Sequence, residues 1–186
     1  MVRELFLLKN YFHKMKGTSQ SPPRVDATEI FWSLLGGCLG IAAVAFLQAQ
    51  FFDETQSVLV IGSFGASAVL IYGAIKSPLA QPRNLIGGHL LSALIGVLSF
   101  KLLHSQIWLA AAVAVAVSIA LMQATKTLHP PGGATALIAV VGGPKITGLG
   151  FFYCLCPVGA GVLIMLIVAL VVNNIPRHRK YPEYWL

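Results

Sequence analysis

The chain has 186 residues, of which 56% are hydrophobic and 10% are charged, and its mean hydropathy is +0.78. These values lie outside the range of ordinary soluble domains and indicate an integral membrane protein. The net charge of +7 comes from residues that flank the apolar runs, which argues against a nucleic-acid-binding surface. The three cysteines fall inside apolar runs, so the sequence predicts no disulfide framework, no metal site and no cofactor.

Five apolar runs are long enough to cross about 30 Å of hydrocarbon as helices, at 30–49, 57–75, 85–103, 107–124 and 149–172. A sixth run, 126–143, contains the unusual stretch LHPPGGATAL. The predicted organisation is a cytoplasmic basic segment at 1–29, a transmembrane domain at 30–172 and a cytoplasmic tail at 173–186.

Basic residues predict the orientation of these runs, because Lys and Arg flank membrane helices on the cytoplasmic side. They precede the first run and follow the last one, so both termini are expected in the cytoplasm and the number of crossings is even. Six crossings satisfy this condition, with the acidic pair Asp53 and Glu54 on the outer side. The flanking residues are Arg3, Lys9, Lys14, Lys16, Arg24, Arg177, Arg179 and Lys180.

Two segments of the chain resemble each other, FGASAVLI at 64–71 and GGATALIA at 132–139. They lie in the second and fifth predicted spans, so the chain divides into repeats at about 30–103 and 107–172. Because three is odd, two three-span units in series have opposite orientations, as in inverted-repeat transporters. We therefore predict an all-α membrane protein with six transmembrane segments in a 3+3 inverted repeat. The helices are expected to be broken at the two Gly-Ala-Ser/Thr motifs.

The HPPGG stretch predicts the break in the fifth span. Pro130 and Pro131 lack N–H donors and disfavour helix at the preceding residue, so His129 is expected to be extended. The two glycines are expected to begin a new helix whose first N–H groups have no partners and suit a small anion. The predicted substrate-binding residues are His129, Gly132, Gly133, Ala134, Thr135, Gly65, Ala66 and Ser67, with Pro130 and Pro131 as a structural motif.

None of the six acidic residues lies within a predicted span. Intramembrane carboxylates normally mark cation sites, so their absence argues against a metal or sodium transporter. Further candidates for the pathway or for coupling are His89, Arg83, Asn84 and Lys126. Each candidate also has a structural interpretation: a histidine can hold a turn or pack between helices, and Arg83 and Lys126 can act only as cytoplasmic anchors.

Three stretches together, LHPPGGATAL, GSFGASAVL and SPLAQPRNLIGGH, resemble the HPP family of integral membrane proteins, named for the His-Pro-Pro run. The resemblance covers about 30–172. Family members are often described as having four spans, whereas the charge bias and run lengths here favour six. Members in chloroplasts and cyanobacteria are implicated in nitrite transport, so the resemblance implies a transporter of nitrite or a similar small anion.

The sequence thus predicts transport of a small monovalent anion through a midplane site formed by broken-helix N-termini, and the resemblance implies that this anion is nitrite. The alternative is a membrane assembly or binding subunit without transport activity. An enzyme is not expected, because no nucleophile with an acid/base pair is visible. The expected partners are membrane lipid and further copies of the chain in a homo-oligomer, and no nucleic acid is expected. The expected location is a bacterial inner membrane, since the N-terminus lacks the composition of a transit peptide.

Overall fold

The computed structural model describes residues 11, 13–16, 19–51 and 61–186, and within these ranges the regular elements are all helical. Arg3, Lys9, Asp53 and Glu54, on which part of the charge argument depends, lie outside the described residues. So do residues 57–60, with which the second predicted span begins.

The helices follow the chain as α1 Ala27–Phe51, α2 Gly62–Ala68, α3 Pro82–Leu103, α4 Ile107–Ala124, α5 Pro130–Val141, α6 Pro144–Thr147 and α7 Ala160–Val172. A π-helical turn, Val69–Gly73, extends α2, and another, Cys154–Gly159, leads into α7. A short 3₁₀ helix, Pro78–Ala80, precedes α3.

Four of these segments are long and apolar enough to cross a membrane: Ala27–Leu47, Pro82–Leu103, Ile107–Ala124 and Cys154–Val172. The prediction of an all-α membrane protein is confirmed for the described residues. The second and fifth predicted spans are shorter helices, Gly62–Gly73 and Pro130–Val141. With 12 residues, α5 is about 18 Å long, which is well short of the hydrocarbon core.

Both short helices begin at a different residue than the sequence suggested. Pro130 and Pro131 occupy the first two positions of α5 instead of ending a preceding helix. Their fixed φ suits the first turn, where an N–H group would have no partner in any case. His129 is extended, as predicted, with φ −139° and ψ 102°. In the first repeat, α2 begins at Gly62, so Gly65 lies inside the helix. Both Gly-Ala-Ser/Thr motifs are therefore within helices, and the prediction that the helices break at these motifs is wrong.

Close contact between α3 and α5 organises the centre of the bundle. Small residues allow this approach, because a Cβ at Gly96 would lie 2.6 Å from the Ala136 carbonyl oxygen, and one at Gly132 would lie 2.8 Å from the Gly88 carbonyl oxygen. The absence of side chains on these glycines thus lets the two helix backbones approach closely.

The contacts along α3 show that α5 runs in the same direction. Gly87, near the start of α3, packs against Thr127, which precedes α5. Near the end of α3, the Lys101 ammonium lies 5.5 Å from the centroid of the Phe151 ring, which follows α5. The start and the end of α5 therefore lie towards opposite ends of the bundle.

One end of the bundle is held together by a buried ion pair between Arg179 and Glu29, and we call it the Arg179 end. The Arg179 guanidinium donates to both carboxylate oxygens of Glu29, at 2.7 and 2.9 Å, and to the Asn173 side-chain oxygen at 3.1 Å. The Arg179 side chain is 1% exposed and that of Glu29 is 23% exposed. The C-terminal tail is thus fastened to the start of α1.

Candidate functional site

A cluster of buried polar side chains lies where α2, α3 and α5 meet. We call it the histidine–hydroxyl cluster; its members are Ser63, Ser67, His89, His129 and Thr135. Each side chain belongs to a residue that is 0–1% exposed. Burying this much hydrogen-bonding capacity is costly unless every group finds a partner, so the partners decide what the cluster can do.

The hydrogen bonds of the cluster connect its members in one continuous series. Ser67 Oγ lies 2.7 Å from His89 Nε2 and 2.9 Å from His129 Nε2, so one hydroxyl bridges the two imidazoles. His89 Nδ1 lies 2.7 Å from Thr135 Oγ1, which in turn lies 2.8 Å from Ser63 Oγ. At the other end, His129 Nδ1 donates to the Leu79 carbonyl oxygen at 2.8 Å.

The Leu79 carbonyl determines where the protons lie when both imidazoles are neutral. A carbonyl only accepts, so His129 carries its proton on Nδ1 and accepts from Ser67 at Nε2. The Ser67 hydroxyl hydrogen is then directed at His129, so Ser67 accepts from His89 Nε2–H. His89 Nδ1 in turn accepts from Thr135 in this neutral state, so the Thr135 hydroxyl donates to its other acceptor, Ser63 Oγ, only when His89 carries its proton on Nδ1.

Few other groups touch the cluster. The Phe64 ring meets the His89 ring edge to face at 5.7 Å, and the two imidazole centroids are 4.9 Å apart. The Tyr153 hydroxyl donates to the Thr135 carbonyl oxygen at 3.0 Å. Among the described residues, no carboxylate, lysine or arginine hydrogen-bonds to a cluster side chain, so the neutral cluster has no fixed counter-charge.

The two similar segments of the sequence contribute equivalent residues to this cluster. Aligning Gly65-Ala66-Ser67 with Gly133-Ala134-Thr135 makes Ser67 the counterpart of Thr135. These two hydroxyls contact the two ring nitrogens of His89, both at 2.7 Å. The similarity found in the sequence therefore corresponds to a shared role in the structure.

Comparison with known proteins assigns this chain to a family. The model of the transmembrane region of HPP proteins matches residues 22–182. The chain belongs to the HPP family. Two relatives from Dictyostelium discoideum, each described as a transmembrane protein, are 48% identical over 178 residues and 47% identical over 192 residues. No solved structure matches the chain.

The alignments cover 94% and 98% of this chain, which spans 57% and 67% of the length of the two relatives. The resemblance to the HPP family that three sequence motifs suggested is confirmed. Both relatives come from a eukaryote, so these comparisons give no support to a bacterial inner membrane, and that location stays a prediction.

The remaining glycine and alanine residues of the two similar segments differ in their exposure. Gly132 is buried, and its N–H donates to the His129 carbonyl oxygen at 2.8 Å, so this N–H group is not open to a ligand. Gly133 and Ala134 are half-buried. Their counterparts in the first repeat, Gly65 and Ala66, are exposed.

The predicted pathway residues other than His89 lie outside the cluster, at the Arg179 end. The Arg83 guanidinium donates to the Thr125 carbonyl oxygen at 2.9 Å, and the Asn84 amide donates to the Leu128 carbonyl oxygen at 2.8 Å. Both bonds hold the loop that precedes the HPP motif. Lys126, in the same loop, is exposed and has a positive φ of 57°.

Sequence reasoning missed Ser63 and the Leu79 carbonyl. Ser63 precedes Ser67 by four residues, which places both on one face of a helix, so helical periodicity would have identified it. The sequence carries no signal for the Leu79 carbonyl, because the 3₁₀ helix at Pro78–Ala80 is brought to His129 by tertiary packing alone.

Proposed function

We propose that this HPP protein transports a small monovalent anion across the membrane, and nitrite is the substrate to test first. The observation that carries the proposal is a buried cluster of two imidazoles and three hydroxyls, without a carboxylate, at the point where two short helices meet. Imidazole N–H and hydroxyl groups can donate to an anion, whereas a cation site would require carboxylate or carbonyl ligands.

The passage of the anion would use residues from both repeats. Ser67 and Thr135 would donate from equivalent positions of α2 and α5, and His89 and His129 would become donors at both ring nitrogens when protonated. Gly65, Ala66, Gly133 and Ala134, which are exposed or half-buried, are proposed to let the anion approach the backbone beside the cluster. We propose no enzymatic activity.

We also propose that the chain crosses the membrane six times as a 3+3 inverted repeat. The order of the helices supports this, because a long, a short and a long helix occur twice in succession. The parallel course of α3 and α5, from the Thr127 contact to the Phe151 contact, supports a crossing by the shorter helix.

A second protomer would help to cover the short helices. Backbone that is not protected within a span is tolerated only where protein or a wet cavity covers it, and the exposed Gly65 and Ala66 leave the α2 backbone accessible. We therefore propose a homo-oligomer in the lipid bilayer. With both termini proposed in the cytoplasm, the Arg179 end would face that compartment.

Uptake of nitrite into proteoliposomes tests the proposal. We expect purified protein to admit nitrite down an imposed gradient faster than protein-free vesicles, which report the passive entry of nitrous acid. His129→Ala and Thr135→Val should lower this rate, and Ser118→Ala provides the matched control. Ser118 is fully buried on α4, and its hydroxyl is one of the buried side-chain groups that lack a hydrogen-bond partner.

The alternative, a membrane assembly or binding subunit, predicts a different pattern. In that case wild-type protein gives no uptake above that of the protein-free vesicles, and the same two substitutions change only stability or the recovery of a complex. Wild-type rates equal to those of empty vesicles for both nitrite and nitrate would refute transport of these anions.

A further inference from the structure

The histidine–hydroxyl cluster can reverse the direction of all its internal hydrogen bonds without moving a heavy atom. In the neutral state, protons point from Thr135 through His89 and Ser67 to His129, and in the reversed state Thr135 donates to Ser63. Each member of the series is a hydroxyl or an imidazole, and each of these can both donate and accept. A series of this kind accepts a proton at one end by shifting every internal proton along its own hydrogen bond.

One added proton gives a balanced second state. It binds Thr135 Oγ1, whose original proton passes to His89 Nδ1, and the Thr135 hydroxyl then donates to Ser63. The Nε2 proton of His89 passes to Ser67, and the Ser67 proton passes to His129 Nε2. No bond between heavy atoms changes, and the charge resides on a His129 imidazolium that still donates to the Leu79 carbonyl from Nδ1.

In the part of the chain that the structure describes, no charged side chain hydrogen-bonds to the cluster and holds its protons in one direction. The groups that face the two imidazoles are Ser67 on α2, Thr135 on α5, the Phe64 ring and the Leu79 carbonyl, and Tyr153 contacts the cluster through the Thr135 backbone. Among the described residues, none of these groups is a carboxylate or a basic side chain. A permanent charge here would hold the protons in one arrangement, as the aspartate of a catalytic triad does for its histidine.

The two ends of the series lie towards different parts of the molecule. At one end, Ser63, which accepts from Thr135, is in the first turn of α2, next to the exposed Gly62. Leu79, at the other end, is half-buried in the 3₁₀ helix that the C-terminal tail covers at the Arg179 end. When the contact between His129 and Leu79 opens, the Nδ1 proton can pass to water at that end. The return to the starting direction then takes a tautomer exchange on both imidazoles, which moves the His129 proton from Nε2 to Nδ1 and the His89 proton from Nδ1 to Nε2, as well as rotation of the hydroxyls.

We propose that the cluster is a proton relay that places one proton on His129 for each anion carried, so that transport is electroneutral. This inference rests on the proposed function for its anion. The His129 imidazolium supplies the positive charge that the described part of the site otherwise lacks. Ser67 is the essential bridge, because the two imidazoles are connected through its hydroxyl.

The transport test separates a pH gradient from a membrane potential. Proteoliposomes of phosphatidylcholine and phosphatidylglycerol are loaded with buffer, and valinomycin with potassium sets the potential. We expect the rate of nitrite uptake, corrected for that of protein-free vesicles, to rise when the exterior is acidic and to be unchanged by the membrane potential. Ser67→Ala should reduce the pH-driven rate about a hundredfold or more, as the loss of a proton-transfer group does. The Ser118→Ala control should keep it.

Two results would overturn the relay while leaving anion transport intact. One is uptake that follows the membrane potential and is indifferent to the pH gradient. The other is a pH-driven rate in Ser67→Ala equal to that of wild type. An absence of any uptake by wild-type protein would instead remove the proposed function, and the relay would then be decided by spectroscopy.

Nitrogen NMR of the imidazoles tests the relay without any substrate. In ¹⁵N-histidine-labelled protein at neutral pH, we expect the proton of His129 on Nδ1 and that of His89 on Nε2. On acidification, protonation of His129 at Nε2 should coincide with a switch of His89 to the Nδ1–H form. Ser67→Ala should abolish this coincidence. Protonation of His129 while His89 keeps its proton on Nε2 would refute the relay.

Discussion

The crossing of α3 and α5 provides a test of the structure that does not depend on function. Gly88 packs against the residue that begins the HPP motif, and a Cβ at this position would lie 2.5 Å from His129 Cβ and 2.9 Å from the Thr127 carbonyl oxygen. Neither neighbour can give way by rotating the end of a side chain, because one is a Cβ atom and the other is backbone. We therefore expect Gly88→Ala to push the two helices apart.

The size of the effect follows from two opposing contributions. Alanine is a better helix former than glycine by about 1 kcal/mol, which stabilises any unhindered replacement within a helix. Overpacking in a well-packed interior typically costs about 1–3 kcal/mol, and contact with backbone places Gly88 towards the upper end of this range. The net expectation is a loss of about 1–2 kcal/mol in the free energy of unfolding.

Gly37 in α1 is the matched control, because a Cβ there would meet nothing within 4 Å. We expect Gly37→Ala to raise the stability slightly and Gly88→Ala to lower it, so the two substitutions differ in sign. Thermal unfolding of both variants in the same detergent, followed by the loss of monodisperse protein, measures this difference. A Gly88→Ala protein as stable as Gly37→Ala would show that α3 and α5 do not approach as described.

Three further predictions concern stability. Thr135→Val should lower the free energy of unfolding by about 1–3 kcal/mol because it leaves His89 Nδ1 buried without its hydroxyl partner, whereas Thr135→Ser should lower it less. Equal losses for the two variants in chemical unfolding would contradict this prediction. Glu29→Gln should lower the free energy of unfolding because it leaves the buried Arg179 guanidinium without its counter-charge. Since the Glu29 carboxylate is partly exposed, we expect a loss of up to about 3 kcal/mol, the lower limit for breaking a fully buried pair. Equal melting temperatures for the variant and wild type would refute this. Lys126→Gly should stabilise by about 1 kcal/mol because it relieves a left-handed backbone, and Lys126→Ala, which removes the charge and keeps the strain, should give no such gain in the same melting experiment.

Run length and residue type were sufficient to find the long helices. The run at 107–124 coincides with α4, because nothing in an uninterrupted apolar stretch competes with helix. The same criterion was not sufficient in the run at 126–143, where the new helix was expected to begin at the glycines and begins instead at Pro130. Proline reads as a helix breaker in sequence, but at the first turn it costs no hydrogen bond and begins the helix.

The composition of the candidate site was only partly accessible from sequence. Ser67 and Thr135 could be paired because similar segments contain them, and the proline run drew attention to His129. Nothing local indicates that His89 is within reach of all three, because its position depends on how closely α3 approaches α5. That distance is set by small residues such as Gly88, whose effect appears only when both helices are present.

The C-terminal tail and the cluster are connected through the 3₁₀ helix at Pro78–Ala80. The Tyr181 hydroxyl donates to the Ala80 carbonyl oxygen at 2.7 Å, and the Tyr184 hydroxyl donates to the Pro78 carbonyl oxygen at 3.2 Å. Burial raises the pKa of the Tyr181 phenol above its ordinary value, so this group keeps the proton that it donates. The two phenols thus hold the carbonyls on either side of the Leu79 carbonyl, which sets the proton position on His129. The Arg179 and Glu29 ion pair fastens the same tail to α1, so one tail holds both the start of α1 and the 3₁₀ helix whose Leu79 carbonyl accepts from His129.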